Sequence, residues 1–415
     1  MSRKRPLRIL YVLNASGGGA TQGILELLRG LPRDDYEAYL VIPDIPTQEQ
    51  NIVFSQLAKE VFFIYMSWWN RKVELPTLWR FAAEFRVLLK TWGHIRPLWR
   101  LCKLIREYQI DIVYTDTVLI LDGALAAKLC GVPHIWHIKE WIGQKARVKF
   151  GIPDWLLAKI FANLSTYIVV MTNFIGRIFS EYRLGDKVRV IYDGVNLADF
   201  QGDLGGLALR QKIGVAKDKF VVAMAASLSS TWKRHGIFIE MASLLACQFP
   251  DLVFVAFGPE PQKYKNPIYN RPWKYYQGLK EKVDAAGLND RFYWAGFCSN
   301  IPQMMDAIDL LVHPCENEPF GRVAIESMAA CRPVVGPNKG GIAESVIHQS
   351  TGLLVEPGDP KAFADGVGFL IQNSQRLREF GLNGRRHVES VFSLGKHVEK
   401  ITDLYKRLQD KVRIS

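Results

Sequence analysis

Two carboxylates, Glu318 and Glu326, stand eight residues apart in the run Glu-Pro-Phe-Gly-Arg-Val-Ala-Ile-Glu-Ser-Met-Ala-Ala, from Glu318 to Ala330. The apolar run Asp309-Leu-Leu-Val-His-Pro314 comes just before, and Pro333-Val-Val-Gly336 and Lys339-Gly-Gly-Ile-Ala-Glu344 follow. A strand feeding a loop that opens a helix presents unpaired backbone N–H groups and a positive dipole end, which suit an anion. Pro319 fits a first helical turn, where its missing N–H has no partner to lose. That places Glu318 in the loop at the mouth of a site and Glu326 about two turns into the helix. One carboxylate would meet a reacting group, and the other would hold a more distant part of the same ligand.

A pair of glutamates at this spacing also occurs on solvated helix faces. Here the whole stretch resembles the E-x7-E motif and following Gly-Gly-x-x-Glu turn of glycosyltransferase family 4. Those are retaining sugar-nucleotide transferases of GT-B fold, and the resemblance extends over nearly the whole chain, strongest from Asp309 to Pro357. It implies that Glu326 holds the donor ribose hydroxyls and that Glu318 lies beside the sugar, near the charge forming at the anomeric carbon. It also implies that the backbone N–H groups of Phe320 and Gly321, with the Lys233 ammonium, stabilise the departing diphosphate.

Further motifs carry the same resemblance. Thr231-Trp-Lys-Arg-His-Gly236 is similar to the family's lysine-bearing loop, with Lys233 seven residues before Glu240. Two adjacent cations at a helix start oppose its dipole, so Lys233 and Arg234 favour an anionic ligand over a solvated face. The family's usual Gly-Arg pair is Ala226-Ser227 here, so the second phosphate-binding arginine is missing; Arg234 and Arg322 are the candidate substitutes. Asn14-Ala-Ser-Gly-Gly-Gly-Ala-Thr-Gln22 resembles the loop that closes over the donor diphosphate, through Gly18 and Gly19, before a helix expected from Gly23 to Leu31. A plain strand-to-helix turn would also hold such glycines.

His137, in His134-Ile-Trp-His-Ile-Lys-Glu140, resembles the family histidine near the sugar hydroxyls; a buried structural histidine is the competing reading. His134 and His313 read as structural, and Asp116 as a strand-end cap. Arg291-Phe-Tyr-Trp-Ala-Gly-Phe297 resembles the strand and turn whose backbone reads the nucleobase, through Gly296 and Phe297. No Asp-x-Asp triplet occurs, so no metal-bridged diphosphate site is expected and no cofactor beyond the nucleoside diphosphate sugar that serves as donor.

Short apolar runs alternate with helical patterns, which argues for parallel α/β sheets. Strands are expected near 8–14, 38–43, 61–66, 111–115, 134–138, 167–172 and 188–192, then 220–225, 252–257, 292–295, 310–313, 334–336 and 353–355. The fold class is α/β: two doubly wound Rossmann-like domains facing across a cleft. Residues 1–193 form the acceptor domain and 194–391 the nucleotide-sugar domain, while a helix over 392–415 crosses back to the first. Asp193–Gly206 reads as the connection, with closure hinged near Asp193–Asn196.

A chain of 415 residues calls for two cores. With 48% hydrophobic and 23% charged residues it is globular, and its apolar runs are too short to span a membrane. Met1–Arg8 reads as a basic tail before the first strand, too short for a signal peptide. Six scattered cysteines without metal spacing suit a reducing cytosol. A net charge of +12 favours anionic partners, with nucleic acid ranked last because no binding motif accompanies it.

The stretch 79–106 carries Arg80, Arg86, Lys90, Arg96, Arg100, Lys103 and Arg106 against Glu84, with Pro97 splitting it into two helices. Its Trp and Phe residues, with Trp68 and Trp69 upstream, suit an anionic membrane surface, although packing of one face on the sheet explains the pattern equally well. The expected protein is cytoplasmic, peripheral on the inner face of the membrane, with a glycan or lipid-linked acceptor. A catalytically silent nucleotide-sugar-binding subunit and a nucleotide-sugar epimerase of the same fold are the alternatives.

Overall fold

The computed structural model of the protein describes residues 5–17, 19–69, 95–146 and 148–414. The chain divides into two compact units, Met1–Gly194 with Leu394–Ser415, and Val195–Ser393. The crossings between them lie side by side. Val195 bridges to Ser393, and its N–H donates to the Phe392 carbonyl at 2.8 Å.

Among the described residues the first unit holds seven strands: β1 (Leu7–Val12), β2 (Tyr36–Ile42), β3 (Glu60–Phe63), β4 (Ile112–Thr115), β5 (His134–Ile138), β6 (Tyr167–Val170) and β7 (Val188–Val190). They run parallel in the order β3-β2-β1-β4-β5-β6-β7. The second holds β8 (Phe220–Ala225), β9 (Leu252–Phe257), β10 (Phe292–Gly296), β11 (Leu310–Val312), β12 (Val334–Pro337) and β13 (Gly352–Val355). Their order is β10-β9-β8-β11-β12-β13, again parallel. Strands such as β9 and β11 are buried at every position, because helices cover both faces of a parallel sheet. Strand order reverses at β1/β4 in one unit and β8/β11 in the other. In open sheets of this kind, loops at the carboxyl ends of such a pair form the ligand crevice.

The long helix Leu394–Ile414 belongs to the first unit. Val398, Ile401, Leu404, Tyr405 and Leu408 join the core formed by β1, β2 and the helix Gly19–Gly30. Tyr405 and Tyr11 share a buried hydroxyl–hydroxyl hydrogen bond of 2.9 Å.

Several local expectations need correction. The first helix begins at Gly19, four residues before the expected start, and Gly18 lies outside the described residues. Residues 95–107 form a continuous helix that includes Pro97; residues 79–94 of the basic stretch, from Trp79 to Lys90 and Trp92 among them, lie outside the described residues. Trp69 turns inward, donating from Nε1 to the Val118 carbonyl at 2.7 Å with its ring 4.5 Å from Phe150. Trp68 remains exposed.

Candidate active site

The loop after β11 runs His313-Pro-Cys-Glu-Asn-Glu-Pro-Phe-Gly321 and leads into the helix Arg322–Ala329. Pro319 therefore precedes the helix rather than lying in its first turn. Gly321 caps the helix with φ 81°, a left-handed conformation that favours glycine, and this moves the start to Arg322. Glu326 consequently lies just past one turn in, not two.

The Gly340-Gly341 turn lies against this loop. A Cβ on Gly340, itself at φ 69°, would come within 2.9–3.1 Å of the Glu316 and Glu318 backbone. One on Gly341 would press into Phe320 and Pro319 at 2.5 Å. The Gly341 N–H donates to the Glu318 carbonyl at 2.7 Å, which fixes the loop from below. The spacing of the Gly-Gly turn behind the carboxylate loop thus has a steric cause.

The two motifs read separately from the sequence meet here. Lys233 ends a short 3-10 turn, Thr231–Lys233, after β8. Its ammonium lies 2.6 Å from Glu318 Oε2 and 4.0 Å from the Trp232 ring centroid. His313 Nε2 lies 3.0 Å from the same Glu318 oxygen. Burial pushes the Glu318 carboxyl up, but Lys233 and His313 outweigh it and hold the group well below the usual carboxylate range.

Arg234 adopts φ 63° at the start of the helix His235–Ala246, and its guanidinium pairs with Glu316 at 2.9 Å. The two cations at this helix start therefore rest against carboxylates of the neighbouring loop. Their presence is explained within the chain, without a ligand. Arg322 pairs with Glu326, Nε to Oε1 at 2.8 Å, so both candidate arginine substitutes hold carboxylate partners in this structure.

At the positions where the family arginine is missing, Ser227 and Ser229 hydrogen-bond to each other at 2.8 Å. Gly258 passes so close that any Cβ there would strike the Ala226 carbonyl oxygen. Gly258 N–H donates to Gly296 at 2.8 Å, and Gly296 closes β10 at φ 68°. Phe297 next to it is 72% exposed, so its ring is open to a ligand. Phe320 is buried with its ring 6.0 Å from Phe392, which leaves only its backbone for a ligand.

His313 was read as structural, yet it touches Glu318. The available signal was its position at the end of β11, five residues before that carboxylate. His313, Cys315 and Glu318 each offer a ligand atom, all within 4.8 Å of one another. The Lys233 ammonium competes for that space. Burial and the Glu318 carboxylate push the Cys315 thiol up, so the free thiol keeps its proton.

In the first unit His137 is buried on β5. Its Nδ1 lies 2.7 Å from the Tyr114 hydroxyl and 3.2 Å from Asp116 Oδ1. Asp116 is thus a partner of the histidine as well as the residue after β4. His134 is structural as expected: it bonds Thr115 and Ser165, and burial drives it down to about 3.

Comparison with known proteins finds family models over both units. Residues 17–199 fit the model described as glycosyltransferase family 4, and residues 207–387 the one described as glycosyl transferases group 1. The 2-deoxystreptamine N-acetyl-D-glucosaminyltransferase of Streptomyces fradiae is 33% identical over 297 residues, 66% of each chain. A D-inositol 3-phosphate glycosyltransferase of Streptomyces scabiei is 29% identical over 335 residues, 77% of this chain and 70% of its own. The lipopolysaccharide core biosynthesis mannosyltransferase LpsB of Rhizobium meliloti is 28% identical over 53% of this chain and 60% of its own.

Among solved structures, Anabaena Alr3699/HepE in complex with UDP-glucose superposes with a TM-score of 0.75 at 21% identity, covering 97% of this chain and 100% of its own. A glycosyltransferase from Rickettsia africae ESF-5 gives 0.78 at 21% identity, over 98% and 99%. At these identities the solved structures establish the GT-B fold, and the two family models, which together span most of the chain, show that it belongs to glycosyltransferase family 4.

Proposed function

We propose that the protein transfers a sugar from a nucleoside diphosphate sugar to an acceptor hydroxyl with retention and without a metal, in the synthesis of a glycan, glycolipid or polysaccharide. The observation that carries this reading is the Lys233–Glu318–His313 cluster at the β8/β11 switch point. Lys233 spends one of its three donors on Glu318, and the others are available to phosphate oxygens. Phe320 and Gly321 offer their backbone N–H groups to the same diphosphate. Glu326 serves the ribose hydroxyls, and Gly296 and Phe297 the base.

In the transfer, the bond between the anomeric carbon and the diphosphate oxygen breaks and the electron pair leaves with the nucleoside diphosphate. The acceptor oxygen bonds the same face of that carbon, and its proton passes to the departing phosphate oxygen. Glu318, kept ionised by two cationic or proton-donating neighbours, stabilises positive charge on the sugar ring rather than attacking it. His137 meets a sugar or acceptor hydroxyl.

Peripheral binding to an anionic membrane from the cytoplasmic side is part of the proposal. The helix over 95–107 turns Leu101 and Ile105 into the core and leaves Trp99, 66% exposed, beside exposed Arg96, Arg100, Lys103 and Arg106. Basic side chains around an outward tryptophan suit a headgroup surface. No helix among the described residues is long and apolar enough to cross a membrane.

The test is thermal stabilisation by UDP, GDP, UDP-glucose, UDP-N-acetylglucosamine and GDP-mannose, followed by product analysis with the best of them. One preferred nucleotide, and a glycoside product of unchanged anomeric configuration in the presence of chelator, is expected. A free epimerised nucleotide sugar, or no binding at all, would overturn the reading.

A further inference from the structure

The loop after β11 carries a side chain that the transfer does not use. Cys315 lies between His313 and Glu318 in the spacing His-x-Cys-x-x-Glu, and all three are buried. One ligand atom from each lies within 4.8 Å of the others, and His313 Nε2 is 3.0 Å from Glu318 Oε2. Among the described residues no other group of three or more His, Cys, Asp or Glu converges in this way. The backbone beneath them is fixed. His313 N–H donates to the Val335 carbonyl at 2.9 Å, and Gly341 N–H donates to the Glu318 carbonyl at 2.7 Å.

One nitrogen, one sulfur and one oxygen donor make a set for zinc, which binds such groups at about 2.0–2.3 Å in a tetrahedron. Magnesium and calcium take oxygen donors instead. At that bond length two donors stand about 3.3–3.8 Å apart along a tetrahedral edge. The His313–Glu318 contact is already close to that edge, so a shift on the order of 1 Å at the thiol closes the triad around one ion.

Charge also balances. The Glu318 carboxylate is now matched by the Lys233 ammonium. A divalent ion that binds Cys315 as thiolate, with the thiol proton released to water, sits between two anions and leaves no buried charge unmatched. Nε2 of His313 binds the ion as a bare nitrogen, with the ring proton on Nδ1. The displaced ammonium, on a side chain 17% exposed, has water within reach.

We propose that His313, Cys315 and Glu318 form an inhibitory zinc site. The ion takes Glu318 from Lys233 and leaves its fourth position to water. That the bound ion stops transfer rests on the transferase reading above, because Lys233 and Glu318 then lose the places assigned to them. The binding itself does not rest on that reading.

The test is titration of the chelator-treated full chain with cobalt(II), read by its thiolate charge-transfer and ligand-field absorption, followed by displacement with zinc. One ion with a thiolate band and tetrahedral ligand-field intensity is expected. Cys315→Ser should lose the band and weaken zinc binding by more than the roughly tenfold that loss of an outer partner costs. Cys247→Ser, at an exposed cysteine, should keep both. Lys233→Met removes the competing ammonium, so it should bind zinc more tightly, and zinc should raise its melting temperature more than that of the wild type. Absence of a thiolate band, a band unchanged in Cys315→Ser, or weaker zinc binding in Lys233→Met would overturn the site. Zinc should stop transfer by the wild type, reversibly with chelator, and spare transfer by Cys315→Ser. Ion binding with undiminished transfer would overturn the inhibition. Absence of transfer from every donor in metal-free protein would instead count against the transferase reading and leave the binding result standing.

Discussion

Lys233 and Glu318, 85 residues apart in sequence, meet at 2.6 Å where the loops after β8 and β11 converge. Both side chains are largely withdrawn from water, with 17% and 11% exposure. The pair joins two features that the proposed reaction needs in one place: positive charge for a leaving diphosphate and negative charge beside a developing cation.

Removing one partner leaves the other as an uncompensated buried charge. Lys233→Met is expected to cost about 3 kcal/mol of stability and to lower turnover by about 10²-fold or more. The double variant Lys233→Met/Glu318→Gln should recover much of the stability but none of the turnover. Urea unfolding and initial rates on the two variants and the wild type separate the two effects.

Stability should fall in acid in two windows. Burial drives His235 and His397 down to about 4, while an unfolded histidine takes up its proton near about 6.5. The unfolded chain therefore binds protons first, and stability declines as pH drops from about 6.5 toward 4. Glu318, held low by Lys233 and His313, adds a second loss only below about pH 4.3. His397→Gln should shrink the first loss without changing the second, and Glu318→Gln should remove the second, in unfolding free energies measured across pH.

The glycine turn gives a graded steric test. Gly341→Ala forces a methyl into Phe320 and Pro319 and should abolish nucleotide-induced stabilisation while lowering the melting temperature. Gly131→Ala is the control: it has positive φ but no atom within 4 Å of the new Cβ, so only backbone strain of about 1 kcal/mol is expected. Equal effects of the two substitutions would remove the steric role assigned to Gly341.

Vesicle co-sedimentation tests the basic helix. Binding to vesicles rich in phosphatidylglycerol should weaken as salt rises, and Trp99→Ser/Arg100→Ser/Lys103→Ser should reduce it at least tenfold. Equal sedimentation of the triple variant would place membrane contact elsewhere or nowhere.

The strands were legible because a parallel sheet covered on both faces reads as short continuous apolar runs, as in Phe220–Ala225 and Leu252–Phe257. The site motifs were legible because glycine and paired carboxylates leave fixed spacings. Helix boundaries were less so: the left-handed Gly321 shifted one start past Pro319, and Pro97 sits within a helix. Long-range pairing was not legible at all. Nothing in single-chain spacing says that Lys233 meets Glu318, that Arg234 meets Glu316, or that the Trp69 ring packs on Phe150.

The account turns on whether this site holds a nucleoside diphosphate sugar, so the deciding measurement is thermal stabilisation by the nucleotide panel in the wild type and in Glu326→Ala. Selective stabilisation by one nucleotide and its sugar, lost or reduced at least tenfold in apparent affinity in Glu326→Ala, is the predicted result. Stabilisation by none of them, or by one of them equally in both proteins, would contradict the role of this site.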